Sequence, residues 1–218
     1  MFKVGKVFID LDMTLVDTSR QCLRVIREFF NRPNITYEEF MNMYYDEKGI
    51  RAGLRGIIGE DALSYDFWSR CWEAYIRLGD YGTLMPHAVE MLRGLKSDGR
   101  AIFILTGREV RSEDIMDELR YYGFLNLIDG VLSLGDLGRN SNKGDLLRYA
   151  LVKYNNGSPR GIVYVTDHPK DIDYCARLGI LTIGVLNHWN RGILRADYVV
   201  DDLLKVRDVL RTLEDSQP

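Results

Sequence analysis

The chain has 218 residues, 46% of them hydrophobic, enough for one large domain or for a core with a smaller insert. Its formal net charge is −3, with both signs spread along the chain, so no basic block or acidic tail points to nucleic acid or a membrane surface. Cys22, Cys71 and Cys175 form no CxxC pair, which argues against a disulfide framework or structural zinc; no leader or long apolar span is visible, and the expected compartment is the cytoplasm.

The first predicted element is a central strand in "VGKVFIDLD", whose apolar run is interrupted by Asp10 and Asp12. Two carboxylates two apart on a strand face the same side, and burying both is costly unless a positive group stands near them. Residues 18–83 then contain no convincing strand. "TSRQCLRVIREFF" offers Thr18 or Ser19 as a cap, with Cys22, Val25, Ile26, Phe29 and Phe30 on one helical face. Thr36 and Glu39 have capping-box spacing before a second helix that Gly49 is expected to end. "DFWSRCWEAYI" places Trp68, Cys71, Trp72, Tyr75 and Ile76 on one stripe, read as helix packing.

From residue 84 the pattern changes. "AIFILT" (101–106), "GVLSL" (130–134), "GIVYVT" (161–166) and "LTIGV" (181–185) read as short buried strands. Amphipathic segments at about 86–98, 110–122, 143–155 and 170–178 separate them. Such alternation predicts an α/β fold: a Rossmann-like parallel sheet with helices on both faces, here with an all-helical insert after its first strand.

Ligands of such sheets bind at the carboxyl ends of the strands. Those ends carry Asp10, Asp12 and Thr14; Thr106, Gly107 and Arg108; and Asp167, with Asp171 four residues on. Lys143 opens the 143–155 helix. Acids together imply a hard divalent cation, and a hydroxyl with a lysine implies an anion beside it. That combination suits phosphoryl transfer, where positioning and charge neutralisation do most of the catalysis.

"DLDMTLVDT", "LTGR", Lys143 and "TDHPKDI" resemble, in order, the four motifs of the haloacid dehalogenase superfamily. The insert after the first motif resembles the superfamily's helical-cap subgroup, phosphoglycolate-phosphatase-like, with "IGVLNHWNRGILRADYVVDDL" similar to its closing segment. The resemblance implies a core of residues 1–17 and 84–218 and a cap of 18–83. It implies Mg²⁺ as cofactor and a small phosphorylated metabolite as substrate. Asp10 becomes the nucleophile that forms an aspartyl-phosphate, and Asp12 the general acid. Asp10, the Asp12 carbonyl and Asp167 become metal ligands, supported by Asp171. Thr106, Gly107 and Lys143 become phosphoryl contacts.

An acid at Asp12 points away from dehalogenation, since a halide leaves without a proton and an alkoxide needs one. Hydrolysis of a phosphate monoester is the first reading. A phosphomutase of the β-phosphoglucomutase type shares every motif, and a non-hydrolytic phospho-accepting receiver shares the acids, hydroxyl and lysine. "KGIRAGLRGIIGE" (48–60) reads as a loop facing substrate, with Arg51 and Arg55 as candidates for a second anionic group or as solvated helix-end residues. Arg108 and His168 flank core motifs and read at least as well as backbone or surface residues. Three positions depart from the family's habit: Met13 stands where glycine is common, Gly144 where proline often follows the lysine, and Thr166 where glycine often precedes the acid. The Met13 amide is expected to serve phosphate as a glycine amide does.

Overall fold

The computed structural model describes residues 3–30 and 34–215; the Phe30 side chain lies outside the described set. Six strands form one parallel sheet in the order β5-β4-β1-β6-β7-β8. They are β1 (Lys6–Ile9), β4 (Ala101–Thr106), β5 (Gly130–Ser133), β6 (Ile162–Thr166), β7 (Leu181–Val185) and β8 (Tyr198–Val200). A separate antiparallel pair joins β2 (Val16–Asp17) to β3 (Thr83–Leu84), two strands too short to leave a periodic signal in sequence.

Alternation along the strands builds two cores. Val7 and Ile9 share a face with Ile102, Ile104, Val163 and Val165, while Phe8 lies with Phe103 and Tyr164 on the other. The first face is covered by α5 (Ala88–Ser97), α6 (Met116–Tyr121) and the terminal α10 (Lys205–Asp215), through Met91, Leu95, Leu119 and Leu210. The second is covered by α8 (Lys143–Asn155) and α9 (Pro169–Leu178), with the short α7 (Leu134–Leu137) beside them, through Leu146, Leu147, Ala150 and Cys175. Both faces being buried explains why these strands read as continuous apolar runs.

Between β2 and β3 lie α1 (Ser19–Phe30), α2 (Tyr37–Tyr45), α3 (Ile50–Ile58) and α4 (Tyr65–Leu78). They pack around a third apolar cluster containing Leu23, Val25, Ile26, Phe40, Met41, Leu54, Trp68, Cys71 and Tyr75. Three expectations need correcting. Phe29 is exposed, so the buried face of α1 is completed by Leu23 instead. Thr36 does close a capping box with Glu39, but Gly49 starts a helix rather than ending one: α2 stops at Asp46, whose carboxylate accepts from the Lys48 amide, and Gly49 (φ +78°) caps α3. The segment 48–60 is consequently mostly helix, not a glycine-rich loop.

The chain runs from β1 outward to β4 and β5, then returns to β6 on the other side of β1. That reversal makes β1 the switch point, where neighbouring connections leave in opposite directions and open a crevice above the strand ends. The helical layer stands over it.

Candidate active site

β1 ends at Ile9, and Asp10 continues the pairing through its amide to the Val165 carbonyl at 2.9 Å. Beyond it the chain curls: the amides of Leu15 and Val16 both donate to the Leu11 carbonyl, and Met13 takes a left-handed φ of +63°. Glycine adopts that conformation without strain; methionine accepts it because its side chain is buried among the helices above, beside residues such as Ile26 and Tyr45. The Met13 amide donates to the Val16 carbonyl at 2.7 Å, so it is engaged in the turn and not free for an anion as the sequence suggested.

The two carboxylates that alternation would have placed together take different cations. Asp10 accepts from Lys143 Nζ at 2.5 Å, and Asp171 lies 3.5 Å from the same ammonium. Lys143 is the first residue of α8, where Asn142 and Asp145 form a capping box. Its neighbour Gly144 has a physical reason to be glycine, because a Cβ there would lie 2.6 Å from the Tyr174 ring. Burial pushes the Asp10 carboxyl well above the carboxylate range; Lys143 opposes this, while Asp171, Asp167 and Asp12 add to it. The ammonium itself is held protonated: its partners Asp10 and Asp171 outweigh the cost of burying it.

Asp12 faces a different cation. Arg108 Nε lies 3.2 and 3.1 Å from its two oxygens and Nη2 2.8 Å from Oδ1. Thr18 donates to Oδ1 at 2.9 Å and Thr106 to Oδ2 at 3.0 Å. Burial pushes this carboxyl up, but the charge and hydrogen bonds of Arg108 more than offset it and hold the carboxyl below its usual value. Thr106 is thereby engaged with Asp12, whereas Gly107 lines the open cavity.

The third strand end contributes Asp167, fully buried. Thr14 donates to its Oδ1 at 2.7 Å, Tyr45 of α2 and Asn187 donate to Oδ2, and Asn190 holds its carbonyl at 2.8 Å. Burial raises this carboxyl despite those bonds from Tyr45 and Thr14. Asp171 accepts from Tyr164 at 2.8 Å and from Thr166 at 3.3 Å, so the hydroxyl at 166 has a partner that glycine could not supply. His168 caps α9: Nδ1 accepts from the Lys170 amide at 3.2 Å, and Nε2 therefore donates to the Tyr44 carbonyl at 3.0 Å.

Asp10, Asp12, Lys143 and Asp171 line a cavity of about 480 Å³ between sheet and helices, with Phe40, Tyr44, Trp68 and Trp72 also lining it, whereas Thr106, Arg108 and Asp167 are buried behind its lining. Arg51 reaches the cavity, but it is paired with the buried Glu109. Arg55 lies outside it, exposed and paired with Glu60 at 2.5 Å. Among the described residues no three His, Cys, Asp or Glu side chains converge closely enough to enclose a metal ion. The donors nearest one another are nevertheless all oxygen: Asp10 and Asp171 share the ammonium of Lys143, and buried Asp167 and Asp12 add negative charge at Asp10. Surplus buried negative charge with hard donors fits Mg²⁺ held by two carboxylates and a carbonyl.

Sequence reasoning placed Arg108 at a strand end without giving it a functional role, and missed Glu118, Tyr45, Asn187 and Asn190. Only the two asparagines carried a signal: they follow β7 in "NHWN", a strand end the same rule would have included. Tyr45 and Glu118 arrive from helices, where spacing marks burial and not partnership.

A family model for haloacid dehalogenase-like hydrolases matches residues 7–185. No curated protein sequence matches the chain. Among solved structures, the chain is similar to a predicted phosphoglycolate phosphatase from Haemophilus somnus (19% identity, TM-score 0.73, covering 94% of this chain and 97% of that one). It is similar to a haloacid dehalogenase-like family hydrolase from Streptococcus pneumoniae (16%, TM-score 0.73, 94% and 97%). It is also similar to a Thermotoga maritima protein named for β-phosphoglucomutase (20%, TM-score 0.65, 98% and 100%). Identities this low speak for the fold, a Rossmann-like α/β core, and the family model speaks for descent. The chain belongs to the haloacid dehalogenase-like hydrolases.

Proposed function

We propose that the chain is a Mg²⁺-dependent phosphatase acting on a small phosphate monoester of the phosphoglycolate or sugar-phosphate kind. The observation that carries this reading is the pairing of Asp10 with Lys143 in a cavity that Asp12 also lines. An Asp10 oxygen attacks phosphorus and forms an aspartyl-phosphate as the bond to the leaving oxygen breaks. Asp12, ionised beside Arg108 in the resting site, takes the proton of a phosphate monoester that enters as its monoanion and gives it to that oxygen; it then takes one from the water that hydrolyses the aspartyl-phosphate, releasing phosphate and regenerating Asp10. Lys143 offsets the negative charge that gathers when a carboxylate meets a phosphate. Asp10, the Asp12 carbonyl and Asp167 would hold Mg²⁺, with Asp171 in support; when bound it supplies charge neutralisation at the phosphoryl group. Thr14, Tyr45 and Asn187 fix the Asp167 carboxylate. We read residues 18–83 as the cap, which keeps bulk water from the cavity and shapes it for substrate through α2, α3 and α4.

Phosphate release from an aryl phosphate and from a panel of sugar phosphates and phosphoglycolate, with and without Mg²⁺, tests the reading. Asp10→Asn is expected to lose about four orders of magnitude or more in kcat. Robust turnover by that variant, or none by the wild type on any ester, would count against it. Transfer to a second hydroxyl without phosphate release would identify a phosphomutase instead.

A further inference from the structure

Arg108 is the molecule's most conspicuous side chain that phosphoryl chemistry, as described so far, leaves unused. It has no exposed surface, yet it is charged. Its Nε and Nη2 face Asp12, while Nη1 and Nη2 face the equally buried Glu118 of α6, the latter at 3.1 Å from Oε1. The guanidinium carbon lies over two rings of α4, with Cζ 4.5 Å from the Trp72 centroid and 5.0 Å from that of Tyr75. Tyr75 donates to Glu118 Oε1 at 2.7 Å and accepts from the Gly82 amide at 3.0 Å. Burying an ion triad generally gives no stability advantage over apolar residues of the same volume. What a planar fork adds over apolar packing is direction: it admits one orientation of the carboxylate it binds.

Resting on the phosphatase reading, we propose that Arg108 is a positioning residue for the leaving-group step, seated by Glu118, Tyr75 and Trp72 so that it fixes the Asp12 carboxylate where it lines the cavity. Glu118 grips the guanidinium from the far side, so Arg108 keeps its seat independently of Asp12. Because Trp72 and Tyr75 belong to α4, the seat exists only while that helix is docked on the sheet. The fork thereby ties the helical layer to the group that hands a proton to the departing oxygen.

The test compares kcat/KM for 4-nitrophenyl phosphate, whose leaving group departs without help, and for ethyl phosphate, whose leaving group needs a proton. Both are measured with Mg²⁺ on wild type, Arg108→Lys and Tyr75→Phe, with folding checked by circular dichroism. Misplacing the acid costs a share of the roughly 10²–10⁴-fold that general acid catalysis contributes. Arg108→Lys keeps the charge and loses the fork, so its aryl-to-alkyl ratio is expected to rise about 100-fold over wild type. Tyr75→Phe removes the hydroxyl that holds Glu118 and accepts from the Gly82 amide while leaving the guanidinium in place, and its ratio is expected to rise in the same direction by a smaller factor; it decides the matter if Arg108→Lys does not fold. An unchanged ratio in the folded variants, whatever the overall loss, overturns the proposal while leaving the phosphatase reading intact. Where the wild type turns over neither ester, the same comparison is made between the aryl phosphate and a sugar phosphate of the panel; inactivity on every ester of the panel overturns that reading and this inference with it.

Discussion

Replacing Lys143 with methionine removes the one ammonium beside Asp10 and keeps the length of the side chain. Lys143 Nζ lies 2.5 Å from Asp10 and 3.5 Å from Asp171, and all three side chains are about nine-tenths buried. At an effective dielectric of about 20, an ion pair at 3.5 Å is worth about 5 kcal/mol before desolvation is counted. Truncating one partner of a buried pair costs about 3–5 kcal/mol, because the remaining charge is left without compensation. That is the expected loss in unfolding free energy for Lys143→Met at about pH 8 with metal chelated. The loss also has a definite pH dependence. Burial already holds Asp10 well above the ordinary carboxylate range, and deleting Lys143 removes the main force opposing it. A carboxyl whose folded pKa exceeds its unfolded value binds more protons when folded, so stability falls as pH rises from the unfolded value through the folded one. Lowering the pH to about 5 lets Asp10 take up a proton in the variant and recovers much of the loss. Urea unfolding followed by circular dichroism at both pH values measures this. Equal losses at the two, or a loss under about 1 kcal/mol as for a solvated pair, would refute the reasoning.

Three further outcomes are expected. Mg²⁺ at 100 times its Kd is expected to stabilise the wild type by about 2.7 kcal/mol, and Asp167→Asn to abolish most of that gain; thermal midpoints with and without the ion measure both. Tyr45→Phe takes a buried hydroxyl from the Asp167 carboxylate. A hydrogen bond to a charged group contributes about 1.5–3 kcal/mol, and urea midpoints of the metal-free variant should fall accordingly. Glu214→Ala leaves Arg100, 3% exposed, without the carboxylate that also holds the Val4 amide. With Glu214 itself 22% exposed, the expected cost is about 2–3 kcal/mol, below the range for a fully buried pair, and a stability change within error would speak against that anchor.

Much of the sheet could be read from the chain because fully buried parallel strands leave continuous apolar runs. The expected strand at 101–106 is observed over Ala101–Thr106, and that at 181–185 over Leu181–Val185. The helix expected at 143–155 spans Lys143–Asn155, where Asn142 and Asp145 form a capping box at its start. The short pair β2–β3 and the helix at 50–58 were not legible. Two residues show no period, and a segment with glycines at 49, 53, 56 and 59 reads as loop until packing decides otherwise.

Asp10, Asp12, Thr106, Lys143 and Asp167 stood out by sequence alone, because strand ends and helix starts are local features and the switch point gathers them into one crevice. Which cation answers which carboxylate is not local. Alternation along an ideal strand put Asp10 and Asp12 on one face, needing a shared partner. In the fold Asp10 pairs with Lys143 and Asp12 with Arg108, 96 residues away. Arg108 in turn depends on Glu118 and on two rings of α4, and no spacing in the chain records that they meet. The sequence by itself determined the chemistry available at the strand ends; tertiary packing decided the pairings, because a buried charge is matched by whatever the fold brings within 3 Å or so and not by its neighbours along the chain.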